Sequence, residues 1–256
     1  MWSIVPNLFL PLAKKAKIGG KAGALLDILE SGGQKAAPLS EQALRQLRSD
    51  ILNGALAPGQ QLKLDALKDH YGFSSSPLRE ALNRLGAENL VINEERRGFF
   101  VGAISIADIQ EITRLRILLE PEALGDAITN GDDAWEAAII STHYRLERVQ
   151  NRLTSGQPFI LDRDWASLHE EFHHALLAAC SSPKLLQIRT TLFYQAERYW
   201  HLWASNNTTP ANRGSNHERL LDAVLQRDIV RSTDLLKNHI SQTTEIVVKY
   251  MAQENN

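Results

Sequence analysis

Gly72-Phe73-Ser74-Ser75-Ser76-Pro77-Leu78-Arg79-Glu80-Ala81-Leu82 decides how the rest of the chain is read. A glycine ends one helix and three serines ahead of a proline start the next. Hydroxyls can accept first-turn amides, and proline at the first helical position has no amide to leave idle. The helix opened there runs to about Leu85. Working back, a short helix spans Leu64 to His70, and Leu56-Ala57-Pro58-Gly59 is a turn. Before that turn, Ser40 caps a helix whose Ala43, Leu47 and Ile51 recur at helical spacing until Gly54 stops it. Working forward, the apolar runs Leu90 to Ile92 and Phe99 to Val101 flank Asn93-Glu94-Glu95-Arg96-Arg97-Gly98, which predicts a hairpin with a charged tip. Three helices and a hairpin within about 65 residues make a winged helix-turn-helix.

From Ser105 onward apolar residues keep helical spacing almost without pause. The breaks are Asn130-Gly131, Ser155-Gly156, Ser181-Ser182-Pro183, Thr209-Pro210 and Gly214-Ser215. Five or six long helices with no strand signal predict a helical bundle. The expected fold is therefore mainly α: a winged helix-turn-helix over residues 39–103, then an all-helical effector-binding and dimerisation domain over 104–256. Residues 1–38 combine an apolar start, a lysine cluster (Lys14, Lys15, Lys17, Lys21) and the double glycines Gly19-Gly20 and Gly32-Gly33, and they read as a flexible arm.

A chain of 256 residues can bury two cores, and 43% hydrophobic with 23% charged residues is globular composition, which excludes disordered and membrane classes. The single cysteine, Cys180, cannot close an internal disulfide, so the reducing cytoplasm is the expected compartment. The apolar opening Met1 to Leu10 is interrupted by Pro6, and lysines follow rather than precede it. That makes a poor signal peptide, and the run is too short to cross a bilayer. The net charge of −2 is unevenly spread: residues 1–39 carry +3, 40–103 are neutral and 104–256 carry −5. The acidic excess lies wholly in the C-terminal part, which leaves the N-terminal part to face nucleic acid.

In the N-terminal part, the start of the third helix offers free amides and the hydroxyls of Ser74, Ser75 and Ser76 to phosphate. Arg79 on its first turn can reach phosphate or the acceptor edge of guanine. Arg96, Arg97 and Gly98 at the hairpin tip suit a minor groove, where arginine favours the negative potential and glycine permits close approach. In the C-terminal part, His169 and His173 are four apart and share one helix face, His217 opens a later helix and His239 lies on the next. Imidazole nitrogens from three helices of a bundle suit zinc, nickel, copper or ferrous iron, although histidines at these spacings also occur as unrelated core or surface residues.

Two families of motif sharpen both halves. Ile51-Leu52-Asn53-Gly54, Pro58-Gly59, Gly72-Phe73-Ser74, Pro77-Leu78-Arg79-Glu80-Ala81-Leu82 and Arg97-Gly98-Phe99-Phe100-Val101 resemble the DNA-binding domain of GntR-family regulators. The resemblance covers about residues 40–103 and places Ser74, Arg79 and Gly98 where members touch DNA. Ser75 and Asp65 stand where many members carry a basic residue, so affinity and base preference need not follow the relatives. Arg116-Ile117-Leu118-Leu119-Glu120-Pro121, Phe172-His173, His217 with Ala223-Val224, and His239-Ile240 resemble the helical ligand-binding (FCD) domain of the FadR-type branch. That resemblance implies a divalent metal on His169, His173, His217 and His239, with His169 at a place usually held by aspartate. Four imidazoles favour zinc, with nickel or another borderline metal as alternatives. It also implies a small carboxylate or dicarboxylate effector beside the metal, for which Arg116 and Arg198 are the candidate partners. A homodimeric regulator, more often a repressor, on palindromic operator DNA is the implied function, with no membrane involvement.

His169-Glu170-Glu171-Phe172-His173 also satisfies H-E-x-x-H, the metalloprotease pattern in which the glutamate is general base. Five residues with two free positions arise by chance, and Leu176 and Ala179 stand where the extended form needs glycine and histidine. A helical interaction module without DNA would leave the Ser74 to Leu82 stretch unexplained. The chain is therefore expected not to be an enzyme.

Overall fold

The structure is a computed structural model that describes residues 37–153, 163–205 and 213–254. The described residues from Leu39 onward form one compact unit with two hydrophobic cores. The expected arm lies outside the described residues save for 37 and 38, as do the breaks at Ser155-Gly156 and Thr209-Pro210.

The N-terminal lobe, or head, consists of α1 (Leu39–Leu52), β1 (Gln61–Leu62), α2 (Leu64–Tyr71), α3 (Ser75–Ala87), β2 (Val91–Glu94) and β3 (Gly98–Val101). Ala43, Leu44, Leu47 and Ile51 form the buried stripe of α1, and it meets Leu78, Ala81, Leu82 and Leu85 of α3. Burying each such leucine is worth about 1.5–3 kcal/mol, and these two stripes hold the head together. Ser40 falls in the first turn of α1 instead of capping it. Gly72 adopts φ 72° and returns its amide to the Lys68 carbonyl at 2.9 Å, a left-handed stop that suits glycine.

The sheet has the order β1-β3-β2, all antiparallel. The hairpin forms where the sequence predicts one, but its strands pair Val91 with Val101 and continue to Glu94 and Gly98, so the tip is shorter than the expected Asn93 to Gly98. The third strand, β1, went unpredicted, because two residues carry no periodicity. Leu62 pairs with Phe99 and buries against the head core.

The C-terminal lobe is a bundle of six helices among the described residues: α4 (Ile106–Asn130), α5 (Asp133–Leu153), α6 (Arg163–Leu177), α7 (Pro183–Ser205), α8 (Arg213–Leu225) and α9 (Ile229–Glu254). Ser105 caps α4 by accepting the Asp108 amide at 3.1 Å. Gly214-Ser215 lies in the first turn of α8, not ahead of it as a break. Helix α4 packs along α9 and α7, and α5 packs against α6 and α8. This arrangement turns α6, α8 and α9 toward one another around Phe172, Leu220 and Ile240. None of the described helices is long and apolar enough to cross a membrane.

The lobes meet along α7, which packs on α1. Phe193 and Tyr194 of α7 belong to the head core. Gln195 donates to the Glu88 carbonyl at 2.8 Å, and Arg48 lies over the Tyr194 ring at 4.5 Å.

Candidate metal centre and nucleic-acid interface

One turn of α6 separates His169 from His173, and the sequence gives both the same inward face because Phe172 and Leu176 bury beside them. His217 enters from α8 and His239 from α9. All four are buried, and one nitrogen from each lies within 4.8 Å of the others. His169 Nε2 and His173 Nε2 are 3.1 Å apart. Ring centres of His217 and His239 lie at 4.8 Å, and Trp165 stacks on His169 at 4.7 Å. Burial, then the neighbouring imidazoles, hold His173 well below the ordinary histidine range, so it is neutral and its lone pair is available.

This donor set fits a divalent cation. A zinc–nitrogen bond of about 2.0–2.1 Å puts ligand nitrogens about 3–4 Å apart. The closest pair already has that spacing, and the widest would close by about 1 Å. Behind His169, the Glu197 carboxylate lies 3.4 Å from Nδ1 and 3.5 Å from His201 Nε2. Burial pushes Glu197 up, but His169 and His201 outweigh it and hold the group well below the usual carboxylate range. A carboxylate behind a ligating imidazole fixes its tautomer and orientation.

Across Phe193 from the histidines lies a second polar group that the sequence reading only half found. Arg116 donates to Glu120 at 2.6 Å, and Arg189 stands 3.7 Å from the other oxygen of the same carboxylate. Both guanidinium groups lie over Phe193, at 5.5 and 4.4 Å, and Phe193 in turn lies 5.8 Å from His173. Burial raises Glu120, yet the two arginines win and keep it ionised. Arg189 is 1% exposed, and its Nε and Nη2 find no acceptor among the described residues. Arg198, expected at the effector pocket, is placed elsewhere. It donates to the carbonyls of Gly102 and Ala103 at 3.1 Å each and lies 3.4 Å from Asp108, so it clasps the segment that joins the lobes.

On the head, Arg79 is exposed at the start of the second turn of α3 and Arg96 is exposed at the wing tip, neither with a side-chain partner among the described residues. Ser74 is the N-cap residue of α3 but makes no side-chain bond to it, and Ser75 and Ser76 follow in its first turn. Arg96 adopts φ 62° and Gly98 φ 88°, which turns the wing sharply at the charged tip. Arg97 is paired with Glu94 and lies over Phe100 at 5.1 Å, so it is the least available of the wing cations.

A winged helix-turn-helix with free cations on its reading helix and wing, fused to a helical bundle with an inward-facing donor cluster, is the architecture of a ligand-responsive DNA-binding regulator. The comparisons agree. The family of bacterial regulatory proteins called the gntR family matches residues 39–101, and the FCD domain matches 111–242. The chain is 38% identical over 212 residues to the uncharacterized HTH-type transcriptional regulator BphR of Paraburkholderia xenovorans, covering 83% of this chain and 86% of the relative. It is 32% identical to the HTH-type transcriptional repressor GlaR of Escherichia coli, covering 81% of this chain and 95% of the relative. Escherichia coli McbR/YncC shares its fold with a TM-score of 0.72 at 24% identity, over 86% of this chain and all of that one. The protein belongs to the GntR family of DNA-binding transcriptional regulators and carries the FCD domain of its FadR-type branch. It is a regulator and not an enzyme. In keeping with that, Glu170 of the H-E-x-x-H pattern accepts the Tyr194 hydroxyl at 2.5 Å.

Proposed function

We propose that the protein is a homodimeric repressor of a palindromic operator, released by a small carboxylate or dicarboxylate bound beside a divalent cation, zinc by preference, in the helical bundle. The observation that carries this reading is the set of four buried imidazoles whose nitrogens lie within 4.8 Å of one another. His169, His173, His217 and His239 hold the cation. When bound, it supplies a doubly positive Lewis-acidic centre in a low-dielectric interior. Four neutral ligands leave that charge uncompensated, which favours an anionic effector. Arg116, already on Glu120, and the buried, underpaired Arg189 are the cations placed to hold its far end.

On the operator, Arg79 reads base edges, while Ser74, Ser75, Ser76 and the wing residues Arg96, Arg97 and Gly98 engage the backbone and the adjacent groove. One head makes too few contacts for useful affinity, so two heads on a palindrome are the expected unit. The repressor reading is supported by the name of the Escherichia coli relative GlaR. The test is elemental analysis of the purified protein, followed by gel shifts with succinate before and after chelation. Stoichiometric zinc and a succinate-dependent release that chelation abolishes are expected. Release unchanged after complete chelation would refute metal-linked sensing.

A further inference from the structure

Helix α3 turns a polar face away from the head core that is wider than Arg79 alone. At about 3.6 residues per turn, the buried Leu78, Ala81, Leu82 and Leu85 fix its inner side, and Ser76, Glu80 and Asn83 fall opposite them with Arg79 at their flank. These four are exposed, and none has an ion pair or side-chain hydrogen bond among the described residues. The charged residues that follow on the chain are engaged. Arg84 donates to Glu41 at 2.8 Å, and Glu88 takes two bonds from Arg48 at 3.1 and 2.6 Å. Arg84 stands four places beyond Glu80, where a cation would support the helix, yet it turns to α1 instead. Glu80 therefore lends the helix no pairing, and asparagine is a weaker helix former than alanine or leucine at the place of Asn83. The fold of the head gives a reason for neither residue.

We propose that Asn83 and Glu80 are base-reading residues that set the operator preference together with Arg79. Ser76, Arg79, Glu80 and Asn83 repeat the spacing i, i+3, i+4, i+7 with which the third helix of a homeodomain meets the major groove. On such a stripe the side-chain chemistry dictates the partner. The Asn83 amide matches the N6 and N7 edge of adenine as acceptor and donor at once, and the Glu80 carboxylate accepts from the N4 amine of cytosine. A carboxylate carried into a groove walled by phosphates costs affinity wherever no amine meets it, so Glu80 also rejects sites without one. Four residues of helix advance about 6 Å, so Asn83 reads about two base pairs away from the base that Arg79 takes, at about 3.4 Å a step. The assignment rests on the placement of Arg79 at base edges proposed above.

The test selects binding sites from randomised duplex DNA with the full-length protein and with its Asn83→Ala, Glu80→Gln and Arg79→Ala variants. Affinities are then measured on the parent's preferred site and on its single-base-pair changes. All three positions are exposed, and melting temperature reports that each variant is folded. For the parent, replacing the adenine read by Asn83 should weaken binding about tenfold, and Asn83→Ala should erase that penalty while leaving those at other pairs in place. Glu80→Gln should erase a cytosine preference and raise affinity for random DNA about twofold or more, because an anion leaves the DNA face. A variant whose selected sites match the parent's, or whose affinity falls equally on every sequence, would overturn the assignment of that residue. Selected sites that shift with Arg79→Ala alone would overturn the proposal and leave Arg79 in its role. Sites that shift with Asn83→Ala and Glu80→Gln but not with Arg79→Ala would do the reverse, so the two readings fail separately.

Discussion

At the tip of the head and at the centre of the bundle the chain uses its functional side chains in opposite ways. Arg79 and Arg96 are exposed and have no side-chain partner among the described residues, so a phosphate or a base edge can become one. His169, His173, His217 and His239, with the neighbouring Arg116, Glu120, Arg189 and Glu197, are all buried and packed against one another. An exposed cation costs the fold nothing and can be removed without structural consequence. A buried polar group is costly once it loses a partner, so removing a member of the cluster is felt by the whole lobe. Function and stability are therefore separable in the head and joined in the bundle.

The sharpest way to break that contrast is Arg79→Ala. A bidentate base contact is worth about 1–3 kcal/mol, and a palindrome loses it in both half-sites, so specific operator binding should fall by about 2–6 kcal/mol. Helicity, melting temperature and metal content should match the parent. Gel-shift affinity within a factor of two would remove Arg79 from the interface, and a lower melting temperature would show that it serves the fold. The counterpart in the bundle is His217→Ala and His239→Ala. Each should lose most of the metal and, by the usual cost of emptying a buried site, about 2–4 kcal/mol of stability. His169→Ala should be milder, because Glu197 lies behind it and can offer a carboxylate in its place. Full metal occupancy and an unchanged melt in both of the first two variants would reduce the cluster to packing.

The sequence shows these two regions with unequal clarity, for a physical reason. The head helices follow from local signals such as the Ala43, Leu47, Ile51 spacing and the Gly72 stop, and the structure repeats them within a residue or two. The histidines are visible because two of them share a helix face and the others fall on motifs that resemble one domain. Arg189 offers no such signal. It sits between Ile188 and Thr190 on a helix of mixed composition, and only the packing of α4 against α7 shows that it is buried beside Glu120. Glu197 is hidden in the same way. Arg198 is the converse case: its sequence context suits a carboxylate partner or a helix-surface ion pair equally, and only the packing shows it bonded to the Gly102 and Ala103 carbonyls.

That linker supplies a third prediction of intermediate size. A methyl group at Gly102 would lie 2.8 Å from Arg198 Nη1 and 3.1 Å from the Asn89 carbonyl. Gly102→Ala should therefore displace the arginine, loosen its hold on the Gly102 and Ala103 carbonyls, and cost about 1–3 kcal/mol, the usual range for overpacking. Hydrogen exchange should quicken around residues 102–105 while the metal stays bound. Protection equal to the parent's would mean that the lobes are held by the α1–α7 contact alone.

The smallest effect tests whether burial alone keeps a histidine neutral away from the cluster. His143 on α5 lies 5.4 Å, ring to ring, from Phe172. Burial holds its pKa below the ordinary 6.5, against the pull of Glu147, Glu218 and Asp222 toward the charged form. The folded protein thus resists a proton that the unfolded chain takes up near pH 6.5. Above that value the group contributes no pH dependence, and as pH falls through it the unfolded state gains the proton first and stability is lost. The cluster histidines also protonate in acid, but they do so in parent and variant alike, so the difference between His143→Gln and the parent isolates this residue. Between about pH 7 and 5 the parent should lose melting temperature more steeply than the variant. Parallel curves would show that His143 is solvated as it is in the unfolded chain, and the opposition between exposed cations and buried neutral donors would then rest on the metal cluster alone.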